Sequence, residues 1–195
     1  SLSDEFTKEL ETSAEKSTEG IITIYRIERL DDGIALIMED FDGVSLEKII
    51  IAGSIGLKDK LHVAIVATDI LGRLHSKAII HGDISPHSII VNQKTGKIKI
   101  IDRACSRFCR TGKQKSMNMQ PEALRYTSPE QTGRMNRVPD YRSDFYSLGI
   151  TLYEMFGGEP PFKSNEPMEL IYSHMARVPE HLNSINPLVP EVISN

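Results

Sequence analysis

The sequence predicts an α+β fold in which a mostly helical body carries a small antiparallel hairpin. Two β-rich runs, residues 21–25 and 34–38, flank the step Asp32-Gly33, a dipeptide that favours a tight hairpin turn. Within residues 57–75, Leu61, Ala64, Ile65, Thr68, Leu71 and Leu74 recur at three- and four-residue steps, the spacing of one helix face. Residues 144–156 are apolar nearly all round, with Phe145, Leu148, Ile150, Leu152, Tyr153 and Phe156, which marks a helix at the centre of a core.

The other elements follow along the chain. Ser3 before Asp4-Glu5 is a helix start signal, and Phe6 and Leu10 share a face, so a short acidic helix is expected over residues 3–15. Residues 46–51 read as a second short helix. Residues 88–91 and 97–101 are short strands linked by the turn-rich Asn92-Gln-Lys-Thr-Gly96, a ribbon beneath the loop that carries Asp83. Residues 104–124 lack periodicity and are expected to form a mobile loop. Gly157-Gly158 ends the central helix, and Pro160-Pro161 blocks its continuation. A last helix covers residues 167–177, after which Pro179, Pro187 and Pro190 predict an irregular tail.

With 195 residues, 39% hydrophobic and 26% charged, the chain suits one domain with one core. A net charge of −4 and scattered basic residues argue against a nucleic-acid footprint; the densest basic run, residues 110–115, is short and loop-like. No window approaches the roughly 18 apolar residues of a membrane span, and the first residues are polar and acidic, so a cytoplasmic protein is expected. Cys105 and Cys109 are too few for a four-ligand zinc site and read as free thiols. A phosphatase loop is excluded, because Lys115 and Thr111 stand where the required arginine would follow them. The chain opens on Ser1, and a piece of a longer protein is expected.

The densest chemistry lies in His81-Gly-Asp-Ile-Ser-Pro-His-Ser-Ile-Ile90 and Ile100-Ile-Asp-Arg-Ala104. A carboxylate on a tight loop is followed, after two strands, by a second carboxylate. Further on come Tyr126-Thr-Ser-Pro-Glu-Gln-Thr-Gly-Arg-Met-Asn-Arg137 and Asp140-Tyr-Arg-Ser-Asp-Phe-Tyr-Ser-Leu-Gly149. In order and spacing these segments resemble the core of a Ser/Thr-type protein kinase domain, whose motifs run H-R-D, D-F-G and A-P-E. The last two runs resemble the kinase-like domain that opens large hybrid sensor histidine kinases.

The resemblance implies a protein kinase-like fold over residues 1–195, mostly the helical large lobe with a remnant hairpin of the small lobe. Residues 3–42 would form the back of the small lobe and the hinge, and residues 43–195 a large lobe truncated at its C-terminal end. Asp83 falls where the family's catalytic base stands, and Asp102 where a carboxylate holds Mg²⁺ against the nucleotide phosphates. Glu9 is the counterpart of the glutamate that pairs with a phosphate-contacting lysine. Glu39 and Phe41 belong to the hinge that takes adenine by main-chain hydrogen bonds, and Ile90 forms the apolar floor beneath the base. Asp144 matches the aspartate that ties down the catalytic-loop backbone, His81 supports that loop, and Glu130 is the glutamate of the third motif. The implied ligands are ATP and Mg²⁺, and the implied partners are a protein substrate or regulatory domains of the same polypeptide.

Departures from the pattern are as informative. Gly82 replaces the loop arginine, Ser85 the lysine that contacts the transferred phosphate, and Ser88 the asparagine that binds a second metal, leaving at most a weak metal oxygen. Arg103-Ala104 replaces Phe-Gly, and Glu122-Ala123 replaces Gly-Thr. Neither a Gly-rich loop nor a strand lysine precedes Glu9, and the arginine that would pair with Glu130 lies past the end of this sequence. Phosphoryl transfer rests on positioning and charge stabilisation, so these losses predict a degraded or regulatory module, inactive or weak as this chain. An active kinase completed by upstream strands is the alternative. His75, His81, Asp83 and His87 raise a remote third reading, a metal-dependent hydrolase, although their spacing matches no ligand set.

Overall fold

The computed structural model describes residues 18–30, 33–102 and 121–194. The helix expected over residues 3–15, with Glu9, lies outside the described residues, as do Arg103-Ala104, Cys105 and Cys109.

The hairpin forms, with its first strand further along than expected. Strand β1 (Ile24–Leu30) pairs antiparallel with β2 (Gly33–Met38), Ile27 opposite Leu36 and Leu30 opposite Gly33. The start of the predicted run goes elsewhere. The Ile22 N–H donates to the Ile100 carbonyl at 2.9 Å, and the Ile100 N–H donates to the Gly20 carbonyl at 2.8 Å. Ile21 and Ile22 are both buried, unlike the alternating residues of a half-exposed strand, because this segment runs between the hairpin and the second sheet.

That second sheet has the order β3-β4-β5, from β3 (Val44–Ser45), β4 (Ile89–Val91) and β5 (Ile98–Ile100), with antiparallel neighbours. The β4–β5 ribbon matches the expectation; β3 is two residues long and carries no pattern that a sequence could show. Ser45 leads directly into α1 (Leu46–Ala52), its hydroxyl accepting the Lys48 N–H at 3.5 Å as an N-cap.

Helix α2 (Leu57–Ser76) forms where expected but turns a different face inward. Val63, Ala67, Ile70, Leu71 and Leu74 are buried, whereas Leu61 and Ile65 are exposed, Ile65 by 68%. Both stripes follow helical spacing; the face that meets Ile89, Ile100 and Leu148 in the main core wins. The expected loop over residues 104–124 ends in one helical turn, α3 (Pro121–Leu124), and a 3₁₀ turn follows at Pro129–Thr132.

The central helix α4 (Arg142–Gly157) buries Asp144, Leu148, Ile150, Met155 and Phe156. Phe145, expected inside, is 41% exposed and packs edge-on against the His75 ring. Gly158 closes the helix at φ +89°, a left-handed conformation that suits glycine. Helix α5 (Pro167–Ala176) follows, and the tail expected to be irregular holds two single turns, α6 (Leu182–Ile185) and α7 (Glu191–Ser194). Among the described residues no helix is long and apolar enough to cross a membrane.

A smaller core of Ile150, Phe162 and Leu170 joins α4 to α5, and His174 is buried beside it. The Tyr146 hydroxyl is hydrogen-bonded to His174 Nδ1 at 2.8 Å, and the Phe162 ring meets the imidazole edge-on. Burial lowers the His174 pKa below its ordinary 6.5. Below pH 6.5 the unfolded chain then binds a proton that the folded chain refuses, so stability falls with pH until the lowered value is reached. Glu154, raised by burial, works in the opposite sense. The difference between the wild type and His174→Gln in denaturant midpoint, followed from about pH 7.5 to about pH 5.5, should therefore shrink as the pH falls.

Candidate functional site

The loop between α2 and β4 is built around one carboxylate. Asp144, with no exposed surface, projects from the first turn of α4. Its Oδ2 accepts the His81 N–H at 2.8 Å, and its Oδ1 accepts the Gly82 N–H at 2.6 Å. His75, near the end of α2, donates from Nε2 to the same Oδ2 at 2.8 Å. Three donors therefore meet a single buried side chain, which a charge removed from water requires.

His81 passes this order on to both candidate carboxylates. Its Nε2 donates to the Ile101 carbonyl at 2.8 Å, and its Nδ1 accepts the Asp83 N–H at 3.2 Å, which together set the tautomer. The Ile101 N–H in turn donates to the Ser88 carbonyl at 2.8 Å. Asp83 and Asp102 are thus brought onto adjoining segments, both half-buried.

Gly82 occupies a left-handed conformation, φ +71°. Its N–H is held by Asp144 and its carbonyl by Gln131, whose Nε2 donates at 2.9 Å. The Gln131 Oε1 accepts from both the backbone N–H and the hydroxyl of Ser128, so the Ser-Pro-Glu-Gln turn is docked on the loop. Gln131 is a residue that motif reading passed over; its place in the capping box with Ser128 was the available signal. Glu130 Oε1 accepts the Ser143 hydroxyl at 2.6 Å. Burial pushes its carboxyl up, but Ser143 and neighbouring donors hold it below the usual carboxylate range.

The two replacement serines are turned inward. Ser88 is fully buried; its hydroxyl donates to the Ser85 carbonyl at 3.0 Å and accepts the Ser85 N–H at 3.1 Å. The Ser88 hydroxyl, expected to offer a weak metal oxygen, is thus engaged within its own turn. Ser85 is 1% exposed, and its hydroxyl finds no hydrogen-bond partner among the described residues. Neither residue presents a group to a phosphate.

The remaining predicted residues converge on a cavity of about 430 Å³ lined by Met38, Glu39, Phe41 and Ile90, with Ile22 and Ile101 completing its apolar wall. Its size falls in the ordinary range for small-molecule sites. The Phe41 carbonyl accepts the Asn92 side-chain amide at 3.0 Å. Glu39 is bound at 2.5 Å by Lys99, whose ammonium holds the carboxyl below its ordinary pKa. Ile22, Ile101, Asn92 and Lys99 carry no motif and could not be picked from sequence. His75, His81 and His87 each point to a different partner, Asp144, Ile101 and Glu47, and no three metal-binding side chains gather among the described residues.

Gly82 and Gly72 should respond oppositely to alanine. A Cβ at Gly82 must adopt a left-handed conformation, so Gly82→Ala should destabilise by about 1 kcal/mol. Gly72 lies inside α2 with open space where a Cβ would sit, and Gly72→Ala should stabilise by about 0.5–1 kcal/mol. Denaturant unfolding of the two variants decides both signs.

The geometry can be set beside known proteins. The protein kinase domain family model matches residues 1–194. The serine/threonine-protein kinase PrkC of Bacillus subtilis is 27% identical over 191 residues, 97% of this chain and 29% of that protein. PknB of Mycolicibacterium smegmatis is 31% identical over 186 residues, 89% of this chain and 28% of that protein. The solved PknI kinase domain of Mycobacterium tuberculosis, a double mutant, superposes with a TM-score of 0.66 at 20% identity, covering 95% of this chain and 67% of that one. The chain therefore spans less than a third of the curated relatives it matches. It belongs to the protein kinase domain family, and its relatives are serine/threonine kinases.

Proposed function

We propose that this Ser/Thr-type kinase domain binds ATP and serves as a degraded, regulatory module of a larger cytoplasmic signalling protein. The observation that carries the reading is a contrast within one site. The hinge cavity and its main chain are formed, while Ser85 and Ser88, at the positions of phosphate and metal contacts, are buried and turned into their own loop. The order of a hybrid sensor histidine kinase, with a kinase-like domain ahead of an ATPase-like module, is the setting that the runs 126–137 and 140–149 favour, and the partners would be regulatory domains of that polypeptide or a protein substrate.

The cavity suits a nucleobase: its walls are the apolar Ile22, Met38, Ile90 and Ile101, and Glu39 and Phe41 edge it, where the kinase resemblance puts main-chain hydrogen bonds to adenine. Asp102 would hold Mg²⁺, which neutralises phosphate charge when bound. Asp83, half-buried beside it, would accept the substrate hydroxyl's proton. The second reading, an active kinase, is favoured by the hydrogen bonds that bring Asp83 and Asp102 together through His81 and Ile101.

Thermal unfolding of the full-length protein tests both. Saturating ATP with Mg²⁺ should raise the midpoint, and Asp102→Ala should remove the part that depends on Mg²⁺. No shift at saturating nucleotide sinks ATP binding. Phosphoryl transfer to protein that is lost in Asp83→Ala, with the nucleotide shift retained, replaces the regulatory reading by the active one.

A further inference from the structure

We infer that Lys99 is a positioning residue that fixes the hinge main chain for the nucleobase, an inference that rests on the nucleotide-binding reading above. Lys99 and Ile90 are directly opposite partners in the β4–β5 ribbon, so both side chains leave the same face. Ile90 lines the cavity. From beside it, the Lys99 ammonium reaches Glu39 at 2.5 Å to Oε1 and 2.6 Å to Oε2, and lies 5.5 Å from the centre of the Phe41 ring.

The two hinge residues that edge the cavity are thus both in the reach of one cation. Each is fastened a second time. Glu39 donates its N–H to the Thr23 carbonyl at 2.9 Å and accepts the Thr23 N–H on Oε2 at 3.3 Å. Phe41 gives its carbonyl to Asn92, a buried residue one past β4. Lys99 and Asn92 belong to the same ribbon, so the large-lobe sheet, through two side chains, sets where the hinge lies. The Lys99 and Glu39 side chains are only 23% and 22% exposed, and a charge-assisted contact there is less screened than one on the surface.

Three arms on the full-length protein decide the role. Lys99→Met should weaken adenosine and ATP alike, by about tenfold, while leaving the affinity for inorganic tripolyphosphate unchanged. Lys99→Arg should restore most of the loss, because a cation within reach of Glu39 is retained. Glu39→Gln should weaken adenosine, and the double variant with Lys99→Met should be no worse than the poorer single variant, since the pair acts as one unit. Equal loss of adenosine and tripolyphosphate, failure of Lys99→Arg to rescue, or additive losses in the double variant would each overturn the assignment. A wild type that binds neither adenosine nor ATP sinks the nucleotide reading itself. Unchanged adenosine affinity in Lys99→Met, in a wild type that does bind, sinks the role of Lys99 alone.

Discussion

The arrangement of the site depends on the buried Asp144 carboxylate. It sits on the most deeply packed helix and takes hydrogen bonds from His75, His81 and Gly82. An ionised group without water is tolerable only when donors surround it, so the loop that supplies two backbone N–H groups is held as firmly as the charge itself. From His81 the order spreads to the Asp83 N–H and the Ile101 carbonyl. Main-chain hydrogen bonds of Asp83 and of Ile101, the neighbour of Asp102, thus help to set where the two carboxylates lie.

This separates position from charge. Phosphoryl transfer needs both, groups held in place and cations or donors that meet developing charge. The first is preserved through main-chain hydrogen bonds, which tolerate substitution of the side chains around them. The second is where this chain departs from the kinase pattern: Gly82 carries no guanidinium, and Ser85 and Ser88 are buried. Gly82 also suits the frame, since its φ of +71° is one that glycine adopts without the strain an arginine would bear. Glycine there leaves the backbone relaxed at one position of the loop.

Much of this was legible in the sequence wherever one residue type meets one physical requirement. The hairpin, the β4–β5 ribbon and helices α2 and α4 each announced themselves by turn residues or periodicity, and the spacing of His81, Asp83, Asp102, Glu130 and Asp144 gave the family. The failures share a cause. The inward face of α2 could not be chosen because two apolar stripes, one through Leu61 and Ile65 and one through Val63, Ala67 and Ile70, fit the same helix. Strand β1 was misplaced because Ile21 and Ile22 answer to a partner far along the chain, Ile100. Asn92 and Lys99 act through contacts with residues distant in sequence, which no local pattern encodes, and Gln131 showed only its local capping box, not its reach to Gly82.

Ile101 gives the two halves of the site a physical link. It lines the cavity, and both its main-chain groups are committed, the N–H to Ser88 and the carbonyl to His81. Anything that fills the cavity therefore touches the residue on which the Asp144-held loop leans. A ligand can bias a conformational equilibrium only by as much as it prefers one state, and contact with Ile101 supplies a route to such a preference without any bond being made or broken in the ligand. On the regulatory reading proposed above, this linkage supplies what such a module needs: a cavity whose occupancy is felt at the loop carrying Asp83 and at the segment that Gln131 docks upon it.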